Sequence, residues 1–383
     1  MIPTSKRLEG IGEYYFSQKL REIDELNKQG KAIINLGIGS PDLPPHPDVI
    51  RVLQEESAKP NVHAYQSYKG SPVLRQAVAD WYKKWYSVSL DPTTEILPLI
   101  GSKEGIMHIC MTYLNEGDKV LVPNPGYPTY RSAVKLAGGV CVDYALKEST
   151  NYEPDLENLS NTDGSIKLMF VNYPHMPTGQ LPSVDLFRRL VEWARKNKVL
   201  IVHDNPYSFI LNEQPASLLA IEGAKEVVIE LNSLSKSQNM AGWRVGVLVA
   251  AKERIDEVLR FKSNMDSGMF LPVQLAAAKA LGLGKDLYDS VNAIYQKRRA
   301  IVFRLLDLLK CQYSTNQVGM FVWAKIPSNY KTGFELSDKV LFESNVFITP
   351  GGIFGEAGNE YIRVSLCSEE GRLEEAMKRV SSE

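Results

Sequence analysis

The stretch SLSKSQNMAGWR, residues 233–244, follows an apolar run that predicts a buried strand. A lysine at the end of such a strand, flanked by small hydroxyl residues, would be partly desolvated. Desolvation lowers the pKa of an amine, so Lys236 could act as a nucleophile towards an aldehyde. Ser233 and Arg244 offer hydroxyl and guanidinium donors, which suit a phosphate group. An isolated Ser-Lys pair is more often a solvated loop lysine, so the prediction depends on the whole string.

Around this stretch, short β-branched runs alternate with amphipathic helical patterns from about residue 34 to residue 248. This alternation is typical of an α/β fold with a mostly parallel sheet that is covered on both faces. The helix starts are well marked. Ser71 with Pro72 predicts a helix over residues 72–86, and Ser183 predicts one over residues 184–196.

The pattern changes after residue 250 to long helices, one of them near residues 285–310, followed by strands at residues 321–325 and 361–366. We therefore expect a large cofactor-binding domain at residues 36–284. A small α+β domain would be made of residues 1–35, which include an N-terminal arm, and residues 285–383.

Composition points to small-molecule partners. The 383 residues include 44 Lys plus Arg against 45 Asp plus Glu, so there is no broad charge footprint for nucleic acid or an anionic membrane. The sequence has neither a signal peptide nor a membrane span, which predicts a cytoplasmic protein. Cysteine spacing shows no paired-ligand pattern, so reduced core residues are expected at Cys110, Cys141, Cys311 and Cys367.

Two polar groups lie where a ligand would bind in an open sheet. Asp204 ends an apolar strand, and a carboxylate at the carboxyl edge of such a strand faces the usual ligand crevice. Its simpler interpretation is a turn or helix-capping residue. Ser102 and Lys103 follow Gly101 at the predicted start of a helix, where backbone N–H groups form an anion site, although an ordinary turn is also possible.

Arg363 lies in the middle of an apolar strand, where an unpaired charge would cost several kcal/mol. An anion must meet it, either a structural carboxylate or a bound one. Tyr127 lies in the constrained turn NPGYP, where it could pack in the core or stack on a ligand ring.

The fixed positions Ser-x-Ser-Lys and Gly-x-Arg within residues 233–244 resemble the pyridoxal-phosphate attachment motif of class I aminotransferases, and all are present. The resemblance runs in the expected order from about residue 36 to residue 366. It implies the type I fold of pyridoxal-phosphate-dependent transferases, with pyridoxal 5′-phosphate as cofactor. It also implies an enzyme that moves an amino group between an amino acid and a 2-oxo acid.

The same resemblance gives roles to the residues. It makes Lys236 the catalytic residue that carries the cofactor. Asp204 would meet the pyridine nitrogen, Tyr207 the phenolic oxygen, and Tyr127 the ring face. The phosphate would be bound by Ser102, Lys103, Ser233 and Arg244.

For the substrate, the resemblance implies that Arg363 binds the α-carboxylate and that Gly39 lets the backbone approach it. Tyr65 matches a tyrosine that reaches the phosphate of the neighbouring subunit, which implies a homodimer with shared active sites. The segment at residues 262–270, with Gln274, is similar to the branch that contains LL-diaminopimelate aminotransferases.

One position departs from the family pattern. The family's Asn-Pro-Thr-Gly is here Met176-Pro177-Thr178-Gly179, and a thioether cannot donate the hydrogen bond that the asparagine gives to the ring's phenolic oxygen and to the substrate carboxylate. Met176 is therefore expected at the substrate site with altered activity or substrate class. The adjacent His175 is titratable, but a solvated loop histidine is the commoner case.

Other functions remain compatible with these motifs. The same fold and cofactor support β-elimination, racemisation or decarboxylation, and a cofactor-binding sensor without turnover is a further alternative. Sensors of that kind carry an N-terminal DNA-binding domain, whereas here only about 30 residues precede the first site motif. A cofactor-free lyase would leave Arg244, Ser233 and Ser102 without an anion. No metal ligand is expected at the site.

Overall fold

A computed structural model describes residues 2–161 and 163–381 of the chain. Residue 1 and residues 382–383, at the ends of the predicted small domain, lie outside this description, as does residue 162. The helices are α1 Tyr15–Lys28, α2 Pro47–Ser57, α3 Pro72–Tyr86, α4 Ser102–Tyr113, α5 Pro128–Leu136, α6 Val184–Asn197, α7 Lys252–Lys262, α8 Leu271–Leu281, α9 Lys285–Leu308, α10 Gly333–Ser344 and α11 Glu370–Ser381. The strands are β1 Ile34–Asn35, β2 Ile96–Leu99, β3 Lys119–Asn124, β4 Val140–Ala145, β5 Ile166–Asn172, β6 Leu200–Asp204, β7 Val228–Ser233, β8 Gly246–Val249, β9 Gln312–Tyr313, β10 Phe321–Lys325, β11 Val346–Phe347, β12 Thr349–Pro350 and β13 Tyr361–Ser365.

The central sheet has the strand order β2-β8-β7-β6-β5-β3-β4 within the described ranges. Strand β8 runs antiparallel to both of its neighbours, and the other pairs are parallel. The predicted mostly parallel sheet is therefore confirmed. Its middle strands are buried on both faces, which is why they read as continuous apolar runs rather than as an alternation.

Successive side chains of each central strand enter two different cores. Ile201 of β6 packs in the larger core, while its neighbour Val202 packs in the core on the opposite face. The same alternation holds in β5 for Met169 and Phe170. Because both faces of the sheet are covered, we expect side chains of these strands to reach an open cavity only at the strand ends.

Helix caps agree with the sequence predictions. The Ser71 hydroxyl accepts a hydrogen bond from the Leu74 N–H at 3.4 Å, and the Ser183 hydroxyl accepts one from the Leu186 N–H at 2.9 Å. These bonds satisfy donors that the first helical turn otherwise leaves free. Helix α1 begins at Tyr15, and the long helix α9, predicted near residues 285–310, ends at Leu308.

A second sheet lies in the C-terminal part of the chain. It has the order β12-β13-β10-β9, all antiparallel, and a separate parallel pair joins β1 to β11. Strand β1 thus ties the start of the chain to its C-terminal part. In the same register Arg363 of β13 lies opposite Trp323 of β10.

The prediction for the cysteines is only half right. All four are free thiols, but only Cys110 and Cys311 are buried, whereas Cys141 and Cys367 are partly exposed. Cys141 lies in β4, the edge strand of the sheet, where one flank of the strand remains uncovered. None of the helices in the described ranges is long and apolar enough to span a membrane.

Candidate active site

A cavity of about 670 Å³ lies at the carboxyl edge of the central sheet. Its walls contain every residue predicted to bind cofactor or substrate except Tyr65. These residues are Gly39, Ser102, Lys103, Tyr127, Met176, Asp204, Tyr207, Ser233, Lys236, Arg244 and Arg363.

The fold explains why residues far apart in sequence meet here. Asn172, Asp204 and Ser233 are the last residues of β5, β6 and β7, three adjacent parallel strands that end at one edge. Helix α4 begins at Ser102, three residues after β2 ends. Strand ends of an open α/β sheet are the usual place for a ligand crevice.

The Lys236 amine faces a backbone oxygen rather than a carboxylate. Its Nζ donates a hydrogen bond to the carbonyl oxygen of Gly39 at 2.7 Å. Burial lowers the pKa of Lys236 from its ordinary value. A side chain on Gly39 would collide with the ring of Phe321, so glycine is needed here for close packing against β10 as well as for access.

The start of α4 and Arg244 form an anion cradle. Gly101 precedes the helix with φ +87°, and a Cβ at this position would collide with the Arg244 guanidinium. Burial and the nearby charge of Arg244 lower the pKa of Lys103. In the described part of the chain neither Lys103 nor Arg244 has a carboxylate within ion-pair distance. Two cations beside a helix N-terminus suit a phosphate group.

Asp204 has one satisfied oxygen and one unsatisfied oxygen. The hydroxyl of Tyr130 donates to its Oδ2 at 2.8 Å, while Oδ1 is buried and has no hydrogen-bond partner among residues 2–161 and 163–381. Burial raises the pKa of Asp204 to about 6, while the Tyr130 hydrogen bond and electrostatic interactions with His203 and Lys236 act in the opposite direction. A buried acceptor without a partner fits a protonated ring nitrogen of a bound molecule.

The two predicted tyrosines are also in place. Tyr127 caps the start of α5 and meets the Tyr130 ring edge-on at 5.5 Å between centroids. Burial raises the pKa values of Tyr127 and Tyr207, so both hydroxyls stay protonated and can donate hydrogen bonds. The ring of Tyr207 lies 6.0 Å from the Lys236 Nζ.

Arg363 has no structural carboxylate in the described residues. Its Nη2 donates to the Gly37 carbonyl oxygen at 2.8 Å, and its Nε is buried without a partner among them. The guanidinium lies 3.8 Å from the ring centroid of Phe321 and 4.7 Å from that of Phe354. Burial lowers the pKa of Arg363 to about 10. Arg363 therefore has no anionic partner among the described residues, which suits a bound carboxylate.

Met176 contacts this arginine directly, since Arg363 Nη1 donates to the Met176 sulfur at 3.3 Å. The neighbouring His175 corrects a prediction, because it is not a solvated loop residue. Its ring is buried, its Nδ1 lies 2.8 Å from the Thr178 hydroxyl, and burial lowers its pKa to about 3. The loop after β5 folds back over the strand ends instead of entering solvent, so His175 stays neutral.

Sequence reasoning missed several residues of the cavity wall. Tyr130 and Asn172 support Asp204, because the Asn172 amide donates to the Asp204 carbonyl oxygen at 2.6 Å. Tyr14 and Phe16, around the start of α1, line the outer part of the cavity. The aromatic run Tyr14-Tyr15-Phe16 before a predicted helix was the available signal for this wall.

Tyr65 lies outside the cavity wall and is 91% exposed. One group of potential metal ligands, Glu104, His108 and Asp266, also lies outside the predicted site. The Lys262 Nζ is 2.8 Å from Asp266 Oδ1, so an ammonium already supplies the cation there.

These groups fit pyridoxal phosphate. The molecule has a phosphate for the Lys103–Arg244 cradle, a ring nitrogen for the unsatisfied Asp204 oxygen and an aldehyde for the Lys236 amine. The fit rests on the orphan Oδ1 and on the absence of a side chain at Gly101 beside Arg244.

Known proteins resemble the chain over its whole length. The sequence model for aminotransferase class I and II matches residues 31–380. An LL-diaminopimelate aminotransferase of Aquifex aeolicus (strain VF5) is 38% identical over 385 residues, with 100% of this chain and 99% of its own covered. One from Oleidesulfovibrio alaskensis is 41% identical, with 98% of each chain covered. The substrate-bound BacF structure from Bacillus subtilis superposes with a TM-score of 0.94 at 34% identity, covering 100% of this chain and 98% of that one.

Proposed function

The chain belongs to the class I and II aminotransferases and is a pyridoxal-phosphate-dependent enzyme of the type I fold that moves an amino group between an amino acid and a 2-oxo acid; on that premise, we propose that the cavity around Lys236 is its active site. The observation that carries this proposal is the convergence of a desolvated amine, an unsatisfied buried carboxylate oxygen and an unpaired arginine in one cavity.

Pyridoxal phosphate, when bound, supplies a ring that withdraws electrons from the carbon that carries the amino group. Lys236 is the residue that would hold it covalently. Because burial lowers the pKa of Lys236, more of its amine is neutral at ordinary pH than in an exposed lysine. A neutral Nζ could accept the proton that leaves the substrate Cα. General-base catalysis of this kind typically contributes about 10²–10⁴-fold to rate.

The other residues bind and orient. Asp204 would meet the ring nitrogen through Oδ1 and keep it protonated, while Tyr207 would donate to the phenolic oxygen. Arg363 would bind the α-carboxylate through its guanidinium fork, in exchange for its weak contact with the Met176 sulfur. Ser102, Ser233 and the Lys103–Arg244 cradle would hold the phosphate, so a carboxylate and a phosphate have separate cationic sites.

For the amino donor, we propose LL-diaminopimelate, the compound in the names of the curated relatives. The outer wall of the cavity carries Arg21 and Asp24 of α1. A pair of opposite charges suits a substrate whose far end bears both an ammonium and a carboxylate group. Arg21 is also paired with Glu13, so binding would require the arginine to share or exchange that partner.

We further propose a homodimer with shared active sites that acts in the cytoplasm. Tyr65 is almost fully exposed, and Met265 and Phe270 are exposed large apolar side chains, with His63 stacked on Phe270 at 5.8 Å. A second copy of the chain would cover these groups. The four free thiols are in keeping with a reducing compartment.

A spectral titration tests the function. Purified protein with bound cofactor is mixed with LL-diaminopimelate, leucine, phenylalanine or glutamate, and conversion of the cofactor to its amine form is followed by absorbance. We expect conversion with LL-diaminopimelate and its reversal by a 2-oxo acid. Conversion only with the apolar amino acids would contradict the proposed donor but not the reaction class, and no conversion with any donor would contradict the proposed site.

A matched pair of arginine variants tests whether Arg363 binds the α-carboxylate of the amino donor. Arg363→Lys loses the bidentate fork, so affinity for the amino donor should fall by about 1.5–3 kcal/mol while the cofactor stays bound. Arg299→Lys is the control. Arg299 donates to the Gln317 carbonyl oxygen and lies outside the cavity wall, so this variant should bind the donor normally.

A further inference from the structure

A fully buried pair of one histidine and one glutamate lies in the central sheet next to Asp204. His203 of β6 and Glu230 of β7 are register partners on adjacent strands, and their side chains have no solvent exposure. His203 Nδ1 lies 2.8 Å from Glu230 Oε2. We call these two residues the His203–Glu230 dyad. Neither belongs to the cavity wall, and nothing in the proposed reaction uses them directly.

The surroundings of Glu230 require an ionised carboxylate. Oε1 accepts from the Tyr82 hydroxyl at 2.8 Å. Oε2 accepts from the Ser217 hydroxyl at 2.8 Å and from the Leu218 backbone N–H at 3.1 Å, in addition to its contact with His203. A protonated carboxyl would lose acceptor capacity while these donors remain, and buried donors without acceptors are costly.

The surroundings of His203 then require two protons on the ring. Its other nitrogen, Nε2, lies 3.0 Å from the Tyr173 carbonyl oxygen, which can only accept. A neutral imidazole has a single N–H and could satisfy only one of its two acceptors, Tyr173 or Glu230. An imidazolium satisfies both.

Apart from Glu230 and the adjacent Asp204, the described residues that face this ring from the surrounding elements are uncharged. Helix α6 presents the uncharged ring of Phe187, edge-on at 5.3 Å. Strand β5 presents Val171 as register partner, and β7 presents Glu230. Along β6 the next residue is Asp204, which is therefore the other acidic group near His203.

We propose that Glu230 holds His203 as a buried imidazolium, and that this fixed positive charge, one residue from Asp204, keeps the Asp204 carboxylate ionised to receive the ring nitrogen. His203 is thus a positioning residue. Burial raises the pKa of Asp204, and the positive charge of His203 is one of the effects that oppose it. His203 is the chain neighbour of Asp204 on β6, whereas Glu230 lies on β7 opposite His203, so we expect the dyad to act on Asp204 as a net positive group.

The dyad also fixes the loop that carries Met176. His203 contacts the carbonyl oxygen of Tyr173 at the start of this loop. Three residues later, the Met176 N–H donates to the Asn172 side-chain oxygen at 2.8 Å. Asn172 in turn donates to the Asp204 carbonyl oxygen. The imidazolium, the loop and Asp204 therefore form one connected group.

Nitrogen NMR of protein with ¹⁵N-labelled histidine tests the protonation state directly. The His203 signals are assigned by their loss in the variant that combines His203→Asn with Glu230→Gln. Across about pH 6–9 we expect both His203 nitrogens to be protonated, whereas the buried His175 shows one protonated nitrogen. A His203 with a single protonated nitrogen in the natural protein would overturn the inference, whatever the variants do.

Cofactor affinity tests the consequence, which rests on the proposed site. The measured quantity is the pyridoxal-phosphate dissociation constant at about pH 6 divided by that at about pH 8. In Glu230→Gln this ratio should be about fivefold larger than in the natural protein, as expected from a rise of one unit in the pKa of Asp204. Tyr82→Phe is the matched control, because it removes a donor to the same carboxylate but leaves both charges, so its ratio should equal that of the natural protein.

An equal loss of affinity at both pH values in Glu230→Gln would mean a purely structural role and would refute the proposal. The NMR result does not depend on the cofactor. A neutral His203 would therefore leave the proposed function standing, while failure to find cofactor on Lys236 would leave the imidazolium standing.

Discussion

At the residue scale, Met176 is the clearest departure from the family pattern. Its sulfur accepts a hydrogen bond from Arg363, and its side chain can donate none. Two uncharged acceptors, the sulfur and the Gly37 carbonyl, and the aromatic ring of Phe321 therefore hold the Arg363 side chain in the cavity. These contacts keep the guanidinium oriented without neutralising it.

Replacing Met176 should be visible in the bound cofactor. An asparagine would donate to the phenolic oxygen and favour its deprotonated form, so the pH midpoint of the visible absorbance should fall in Met176→Asn. If the new bond is worth about 1 kcal/mol, the change is roughly half to one pH unit. Met176→Leu, which matches the size but cannot donate, should leave the midpoint in place. Coincident curves for the natural protein and Met176→Asn would contradict the lost-donor account.

Asp204 should make the cofactor-free protein less stable at neutral pH. Its pKa in the folded state, about 6, lies above its ordinary value, so folding takes up a proton and stability falls as pH rises from about 4 to about 6. Asp204→Asn lacks this penalty. Its free energy of unfolding should exceed that of the natural protein by up to about 3 kcal/mol at about pH 8, with no difference below about pH 4. Urea titrations at both pH values measure it, and a variant that is less stable at pH 8 would contradict the buried-charge account.

From the sequence we could predict the site residues whose charged side chains lie in or next to apolar runs. Lys236 after an apolar strand and Arg363 within one were predictable, because a charge in an apolar run needs a partner. Tyr130 and Asn172 were not, since a tyrosine on the buried face of a helix and an asparagine at a strand end look like ordinary packing residues. Their role depends on their hydrogen bonds with Asp204 in the folded chain. The order of residues in the sequence does not reveal these contacts.

At the element scale, caps and periodicity located the long helices and the central strands, with ends displaced by one or two residues. The strands β9, β11 and β12 have two residues each and gave no recognisable pattern. They are defined by their partners, as when β11 pairs with β1 from the other end of the chain. The reversed direction of β8 likewise depends on the connection through the Lys236 loop.

An ion pair with helix α9 holds the segment after β1. Arg298 of α9 donates to both oxygens of Asp42, at 2.7 and 2.8 Å, and its side chain is buried. Asp42→Ala would leave this arginine unpaired. We expect its free energy of unfolding to fall by about 3 kcal/mol, the lower end for broken buried pairs, because Asp42 is partly exposed.

The control for Asp42→Ala is Asp289→Ala, which breaks the exposed pair with Lys285. Its free energy of unfolding should change by less than about 1 kcal/mol. Urea denaturation of both variants measures the difference. Equal effects would mean that the Asp42–Arg298 pair is no stronger than a surface contact.

At the scale of the whole molecule, the predicted sheet and the cavity are present in one chain, but Tyr65 has no role there. Its exposure is explained if, in an isologous dimer, the Tyr65 side chain of each copy enters the active site of the other. The sequence could suggest this only through the resemblance, because a tyrosine that serves a neighbouring subunit has no signal of its own.

Mixing two inactive variants tests the shared site. Lys236→Ala removes the amine proposed to be catalytic, and Tyr65→Ala removes the side chain proposed to enter the partner's site. In a mixed dimer one site has both defects and the other has neither, so equal mixing with exchange should restore about a quarter of the natural activity. Unmixed Lys236→Ala is the baseline. No recovery, with dimer exchange verified by mass, would contradict the shared site.

The most direct test of the central claim is to locate the cofactor on the chain. Borohydride reduction of the protein with bound pyridoxal phosphate, followed by proteolysis and mass analysis of the peptides, should place the modification on Lys236 and remove it in Lys236→Ala. The neighbouring lysine of the cavity, Lys103, serves as the internal comparison and should be unmodified. A modified peptide containing Lys103 or any other lysine, or no modified peptide, would contradict the account.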